Sequence, residues 1–201
     1  KEHPETQLVL GIHAETSTGT IQPIAEFARL SHEAGALFMT DVVTSLAGCE
    51  LKFDEWELDF AYSGSQKCLA APPGISPVAI SDRALEYIRN RPKPPTSWYL
   101  DLSLIADYWG PDHIPHHTAP VSMIYGLREA VGMALNETLE VRWQRHEANA
   151  SALRAGLTAL GLELPISKEE RLDQLTVVKL PKGIDDVKLR TQLLEEYSIE
   201  V

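Results

Sequence analysis

The chain has 201 residues, enough for one good core or for one and a half domains. Its net charge of −11 disfavours polyanionic partners such as nucleic acid or an acidic lipid surface. No run approaches the roughly 18 apolar residues of a membrane span, and Cys49 and Cys68, the only cysteines, are too sparse for a disulfide scaffold and point to a reducing compartment.

The opening KEHP is neither a start methionine nor a signal peptide, and it reads as a chain that begins inside a domain. Residues 6–13, TQLVLGIH, predict a buried strand running into the small polar loop AETSTGTIQP. Pro23 suits the first turn of a helix over 23–34, where Ile24, Phe27, Ala28, Leu30 and Ala34 share roughly one face and Gly35 provides the stop. Residues 36–40 predict a short strand ending in Asp41, and residues 58–62 predict a third. A fourth, over 74–81, is interrupted by Pro77 and so belongs at an edge or runs antiparallel. Ser81 and Asp82 can cap a helix over 83–89.

Residues 90–121 carry six prolines and four Trp or Tyr side chains, and predict an irregular, extended crossing segment that packs on another surface, a partner subunit being one candidate. Two helices follow between Ser122 and Gly161. Ile124, Leu127, Val131 and Leu135 lie on the first. Thr138 caps the second, which runs on through Leu153, Leu157 and Leu160. Residues 175–181 predict a strand, 184–198 a helix, and 199–201 the start of a further strand. Residues 1–135 thus read as part of a large domain. Residues 136–201 read as a linking helix and the beginning of a small α+β domain.

Strand–helix–strand order with near-continuous apolar strands predicts an α/β fold with a mixed, mostly parallel sheet covered by helices. Ligands in such sheets bind at the carboxyl ends of strands. Thr16, Ser17, Asp41 and Lys67 all lie at or just beyond such ends.

Lys67 could be a solvated surface lysine, but its neighbours favour chemistry. The preceding SGSQ allows close backbone approach at Gly64 and supplies donors at Ser63, Ser65 and Gln66 that can surround a phosphate. The following AAPPG is rigid and uncharged. A partly desolvated ammonium loses pKa and can become a nucleophile. Asp41 either caps the next turn or pairs with a protonated pyridine nitrogen, and Val43 could pack on the ring face. Thr16 and Ser17 either cap a turn or reach a ring hydroxyl. One amine and one carboxylate on neighbouring strand ends fit the logic of pyridoxal 5′-phosphate.

These motifs resemble the class V branch of fold-type I pyridoxal-phosphate enzymes, and within it the alanine–glyoxylate and serine–pyruvate aminotransferases. The matching segments are Glu15–Gly19 (ETSTG), Asp41 in TDVVTSLAG, and YSGSQKCLAAPPG with Lys67 as the lysine that holds the cofactor aldehyde. WYLDL at 98–102, YWG at 108–110, HHTAPV at 116–121 and YGLREA at 125–130 also match. The resemblance implies a homodimer that transfers an amino group between alanine or serine and glyoxylate or pyruvate. It assigns the ring hydroxyl to Thr16, the ring nitrogen to Asp41 and the cofactor phosphate to Gln66. Thr118 would reach the phosphate of the partner's site. The family commonly has a tyrosine directly before HHT, where this chain has Pro115, so one phosphate contact is expected to be missing. The family's glycine-rich phosphate loop and ring-stacking aromatic would precede this region, and its substrate-carboxylate arginine would follow Val201. Such an enzyme is cytoplasmic in a bacterium and peroxisomal or mitochondrial in a eukaryote.

Three other readings carry less. A cysteine desulfurase or related class V lyase needs a histidine before the lysine, where Gln66 stands, and a mobile-loop cysteine. A non-catalytic homologue would not need Asp41, Gln66 and Lys67 together. His113, His116 and His117 do not have a recognised metal-ligand spacing, so packing or dimer contacts account for them better.

Overall fold

A computed structural model describes residues 3–201. Its centre is a four-stranded sheet of β1 (Leu8–Ile12), β4 (Leu37–Asp41), β5 (Phe60–Tyr62) and β6 (Val78–Ile80), in that spatial order. β1, β4 and β5 run parallel, and β6 is antiparallel to β5. Pro77 sits immediately before the edge strand β6, where the missing N–H removes no ladder bond, as the sequence led us to expect. The register places Ile12 opposite Asp41, Asp41 opposite Tyr62, and Tyr62 opposite Val78. One row of residues therefore crosses the whole sheet at the carboxyl ends of its three parallel strands. A two-stranded hairpin, β2 (Ala14–Glu15) and β3 (Thr20–Ile21), stands just beyond β1.

Helix α1 (Ile24–Glu33) makes the crossover from β1 to β4. Ile24 and Ala28 pack with Phe38 and Leu58 into the main apolar core, supported by Val9, Phe27, Leu51, Phe53 and Trp56. Gly35 ends the helix at φ +80°, a conformation that costs glycine little. Helix α2 (Asp82–Arg89) begins at Ser81, whose hydroxyl accepts from the Ala84 N–H at 3.1 Å, as predicted.

A buried carboxylate ties these pieces together. Asp59, with 3% of its side chain exposed, accepts from the Phe38 N–H of β4 at 2.8 Å and from the Ser81 hydroxyl at 3.0 Å. Its Oδ2 lies 2.8 Å from Nε2 of His32 on α1 and 3.6 Å from Arg83 on α2. One residue at the start of β5 thus engages the neighbouring strand and both flanking helices.

Three expectations change. The segment 90–121 is not irregular throughout, because α3 (Leu102–Trp109) forms within it. Asp101 caps this helix by accepting from Ser103 N at 3.0 Å, and α3 packs beside α2. Residues 175–181 form no strand: β-prone residues there find only an isolated bridge between Lys179 and Glu163, and a strand needs a partner to satisfy its backbone. The residues after α6 (Asp186–Tyr197) likewise form no strand. The paired helices α4 (Val121–Glu137) and α5 (Leu139–Ala159) are as expected, with the Thr138 hydroxyl accepting from Val141 N. No helix among the described residues is long and apolar enough to cross a membrane.

The Asp59 network predicts that Asp59→Ala, which orphans the Phe38 N–H and strips His32 and Arg83 of their partner, destabilises the intact protein by about 3 kcal/mol. Ser81→Ala costs only about 1 kcal/mol. Urea denaturation of both variants measures the difference. A second prediction concerns His13, which is buried after β1 against the edge of Trp56, with its Nδ1 unpartnered. Burial lowers its pKa from 6.5 to about 4. Between those values the unfolded chain binds the extra proton, so the stability tied to neutral His13 is complete above pH 6.5 and is lost as pH falls toward 4. Unfolding free energies measured across this window should rise with pH, and His13→Gln should flatten the rise.

Candidate active site at the carboxyl ends of the sheet

Asp41 ends β4 half-buried, and two donors hold its carboxylate. The Val43 N–H donates to Oδ1 at 2.8 Å, and the Tyr62 hydroxyl donates to Oδ2 at 2.7 Å. The Val43 bond is the turn cap that the sequence offered as one reading. It leaves Oδ2 turned toward β5, so capping and ligand pairing are not exclusive. Backbone bonds extend the stitching past the ladder: His13 N donates to Asp41 O at 2.9 Å, and Val42 N to Tyr62 O at 3.0 Å.

The loop after β5 explains how Lys67 is presented. Ser63 and Ser65 are both buried, and their hydroxyls donate to backbone carbonyls: Ser63 to Val42 O at 3.3 Å, Ser65 to Pro72 O at 2.6 Å. This corrects the expectation that these hydroxyls surround a phosphate; they pin the loop instead. The backbone of Ser65 also pairs with Ile75 and Ala71. With its neighbours tucked in, the loop leaves Gln66 and Lys67 exposed at its outer turn. A Cβ at Gly64 would lie 2.7 Å from Gln66 Oε1, so glycine there makes room for that side chain. Cys68 anchors the lysine from the other side. Its thiol lies 3.3 Å from Thr44 O in the loop after Asp41, and its carbonyl accepts from the Arg142 guanidinium on α5.

Of the remaining expected residues, Thr16 is exposed on the turn joining β2 and β3. Ser17, its alternative, already donates through Oγ to Glu15 at 2.7 Å, and these bonds to Ser17 hold the Glu15 carboxyl below its usual range. Val43 is half-buried beside Asp41. Thr118 is exposed just before α4 and away from the strand-end row in sequence. The histidines before it form a packed cluster: His116 Nδ1 lies 2.9 Å from His117 Nδ1, and the His116 ring lies on Trp98 with centroids 4.1 Å apart. Pro115, like Thr118, is exposed.

Both thiols are free and poorly suited to nucleophilic work. Burial pushes the Cys49 thiol up to about 12, and burial raises Cys68 as well, against the opposing charges of Arg142 and Lys67. Each contacts nearby backbone, Cys49 Sγ at 3.8 Å from Ser45 O and Cys68 Sγ at 3.3 Å from Thr44 O.

Sequence reasoning missed Tyr62 and Arg142 as parts of this site. Tyr62 was visible as the residue ending the third strand, but its pairing with Asp41 follows only from the strand register. Arg142 lies in a helix, and nothing local marks it as a partner of Cys68.

A fixed carboxylate on one strand end and a primary amine on the loop leaving the next are groups that would suit a pyridine cofactor. The family described as aminotransferase class V matches residues 2–201. A (S)-ureidoglycine–glyoxylate transaminase of Bacillus subtilis is 38% identical, covering 97% of this chain and 51% of its own length. An alanine–glyoxylate aminotransferase of Callithrix jacchus is 40% identical, over 94% of this chain and 47% of its own. The crystal structure of an alanine–glyoxylate aminotransferase from Nostoc sp. superimposes with a TM-score of 0.93 at 43% identity, over 96% of this chain and 52% of that one. The chain spans about half the length of the relatives it matches. On the breadth of the family match and the level of identity, the chain belongs to the class V aminotransferases.

Proposed function

We propose that the protein of which this chain is part catalyses pyridoxal 5′-phosphate-dependent transamination between a small amino acid, alanine or serine, and a small 2-oxo acid, glyoxylate or pyruvate. The observation that carries this reading is the placement of Asp41 and Lys67 at neighbouring carboxyl ends: Asp41 ends β4 opposite Tyr62 of β5, and Cys68, next to Lys67 on the loop leaving β5, contacts Thr44 in the loop leaving β4. The relatives' names support the substrate class, since they pair glyoxylate with alanine or ureidoglycine.

When bound, the cofactor supplies an electron sink for the carbanion at the substrate α-carbon. Asp41 would hold the proton on the ring nitrogen and keep that sink charged. Lys67 would hold the cofactor through its amine, and the same amine would carry a proton to and from the substrate α-carbon. Val43 would cover the ring face, Thr16 would bond the ring hydroxyl and Gln66 the phosphate. Thr118 reaches the phosphate of a second subunit, so the working unit is a homodimer with composite sites. The exposed aromatic and apolar residues Trp98, Tyr99, Leu100, Trp109, Ile114 and Tyr125 support that assembly, because they flank Thr118 in sequence and a second copy would cover them.

Lys67→Ala in the intact protein should abolish amino transfer, lose the visible absorbance of the covalently held cofactor and keep the fold. Turnover within a few-fold of wild type would contradict the assignment. Sedimentation should find a dimer at working concentration, and Thr118→Val should raise the cofactor dissociation constant without dissociating that dimer. A fully active monomer would remove the composite site.

A further inference from the structure

We infer that Tyr62 is a positioning residue for Asp41, and through it for the protonation of the ring nitrogen of a pyridine cofactor. The inference rests on the reading under Proposed function. It concerns a residue to which neither the sequence motifs nor the family membership gives a role.

The geometry is specific. Tyr62 is opposite Asp41 in the parallel ladder of β4 and β5, and its hydroxyl donates to Oδ2 at 2.7 Å. Val43 N donates to Oδ1 at 2.8 Å. A carboxylate offers about four lone-pair sites, so each oxygen has one occupied and one free. Donors on both oxygens fix the plane of the carboxylate and leave Oδ2 able to accept one further N–H. The Tyr62 ring is itself tilted against Phe60, with centroids 6.5 Å apart. The bond to Asp41 raises the phenol pKa, so Tyr62 remains a donor through neutral pH.

A carboxylate facing a pyridine nitrogen shares one proton with it. Hydrogen bonds donated to the carboxylate stabilise its charged form. The Tyr62 hydroxyl therefore favours the arrangement with the proton on the ring nitrogen over the neutral pair with the proton on Asp41. It acts on the electron sink without touching substrate or cofactor. A role limited to stability would leave the proton distribution unchanged.

The test uses the full-length holoenzyme loaded with cofactor labelled with nitrogen-15 at the ring position. Tyr62→Phe keeps the ring packing and removes only the hydroxyl. The nitrogen-15 resonance should move toward the unprotonated value, with kcat lowered on the order of tenfold and KM held, the lower bound for loss of one hydrogen bond to a charged group. Replacing Tyr62 with 3-fluorotyrosine, a more acidic donor of nearly the same shape, should leave the resonance at or beyond the protonated wild-type position. This second variant decides the matter if the phenylalanine protein does not fold. An unmoved resonance in Tyr62→Phe, or a 3-fluorotyrosine resonance displaced toward the unprotonated value, overturns the inference. A rise in kcat in Tyr62→Phe also overturns it, since the phenol would then compete with the cofactor for Asp41. A wild type that binds cofactor normally while these outcomes occur leaves the proposed function standing. A wild type that takes up no cofactor overturns both.

Discussion

Everything at the site depends on three parallel strands ending in one row. Parallel pairing gives every strand the same direction, so the carboxyl ends of β1, β4 and β5 lie along one edge, with Ile12, Asp41 and Tyr62 side by side. The loops leaving that edge can then converge without long excursions. A shift of the β4–β5 pairing by one residue would turn Tyr62 to the other face of the sheet and separate it from Asp41. The chemistry proposed for Asp41 and Lys67 is thus a consequence of register before it is a property of either side chain.

That register is protected from the opposite end of β5. Asp59 binds the Phe38 N–H of β4 while engaging His32 of α1 and Ser81 and Arg83 at the start of α2. Its bonds are satisfied from both flanking helices, so β5 cannot slide past β4 without orphaning a buried charge. At the other end the buried Ser63 and Ser65 serve the same purpose, closing the loop that exposes Lys67. Polar anchoring on either side of a short strand leaves the Lys67 amine exposed. The contact from Arg142 to the Cys68 carbonyl ties this loop to α5, so the helical part of the chain also helps to place the lysine.

Much of this was legible in the sequence, for local reasons. Apolar runs bounded by turn residues marked β1, β4 and β5, Pro77 marked an edge strand, and Ser81 marked the start of α2. Asp41 was recognisable because it directly follows such a run, and Lys67 because it follows another across the short SGSQ turn. What stayed hidden was set by partners distant in sequence. Asp59 and Tyr62 both sit inside an apolar-looking stretch, and only the fold shows that one anchors β5 and the other holds Asp41. Ser63 and Ser65 were misread as ligand donors because their burial, and so their use on backbone carbonyls, depends on the loop closing through Pro72 and Pro77. Prolines around residues 90–121 masked α3, although Asp101 followed by Ser103 was a capping signal that could have revealed it. Residues 175–181 have strand composition but lack a neighbouring strand, and composition alone cannot supply one.

The central claim is that the strand-end amine and carboxylate form one cofactor site, with Lys67 as the covalent anchor. Borohydride reduction of the full-length protein loaded with pyridoxal 5′-phosphate, followed by peptide mapping, tests it most directly. The account predicts a single pyridoxyl-modified residue, Lys67. Modification at another lysine, or none at all in a protein saturated with cofactor, would contradict it.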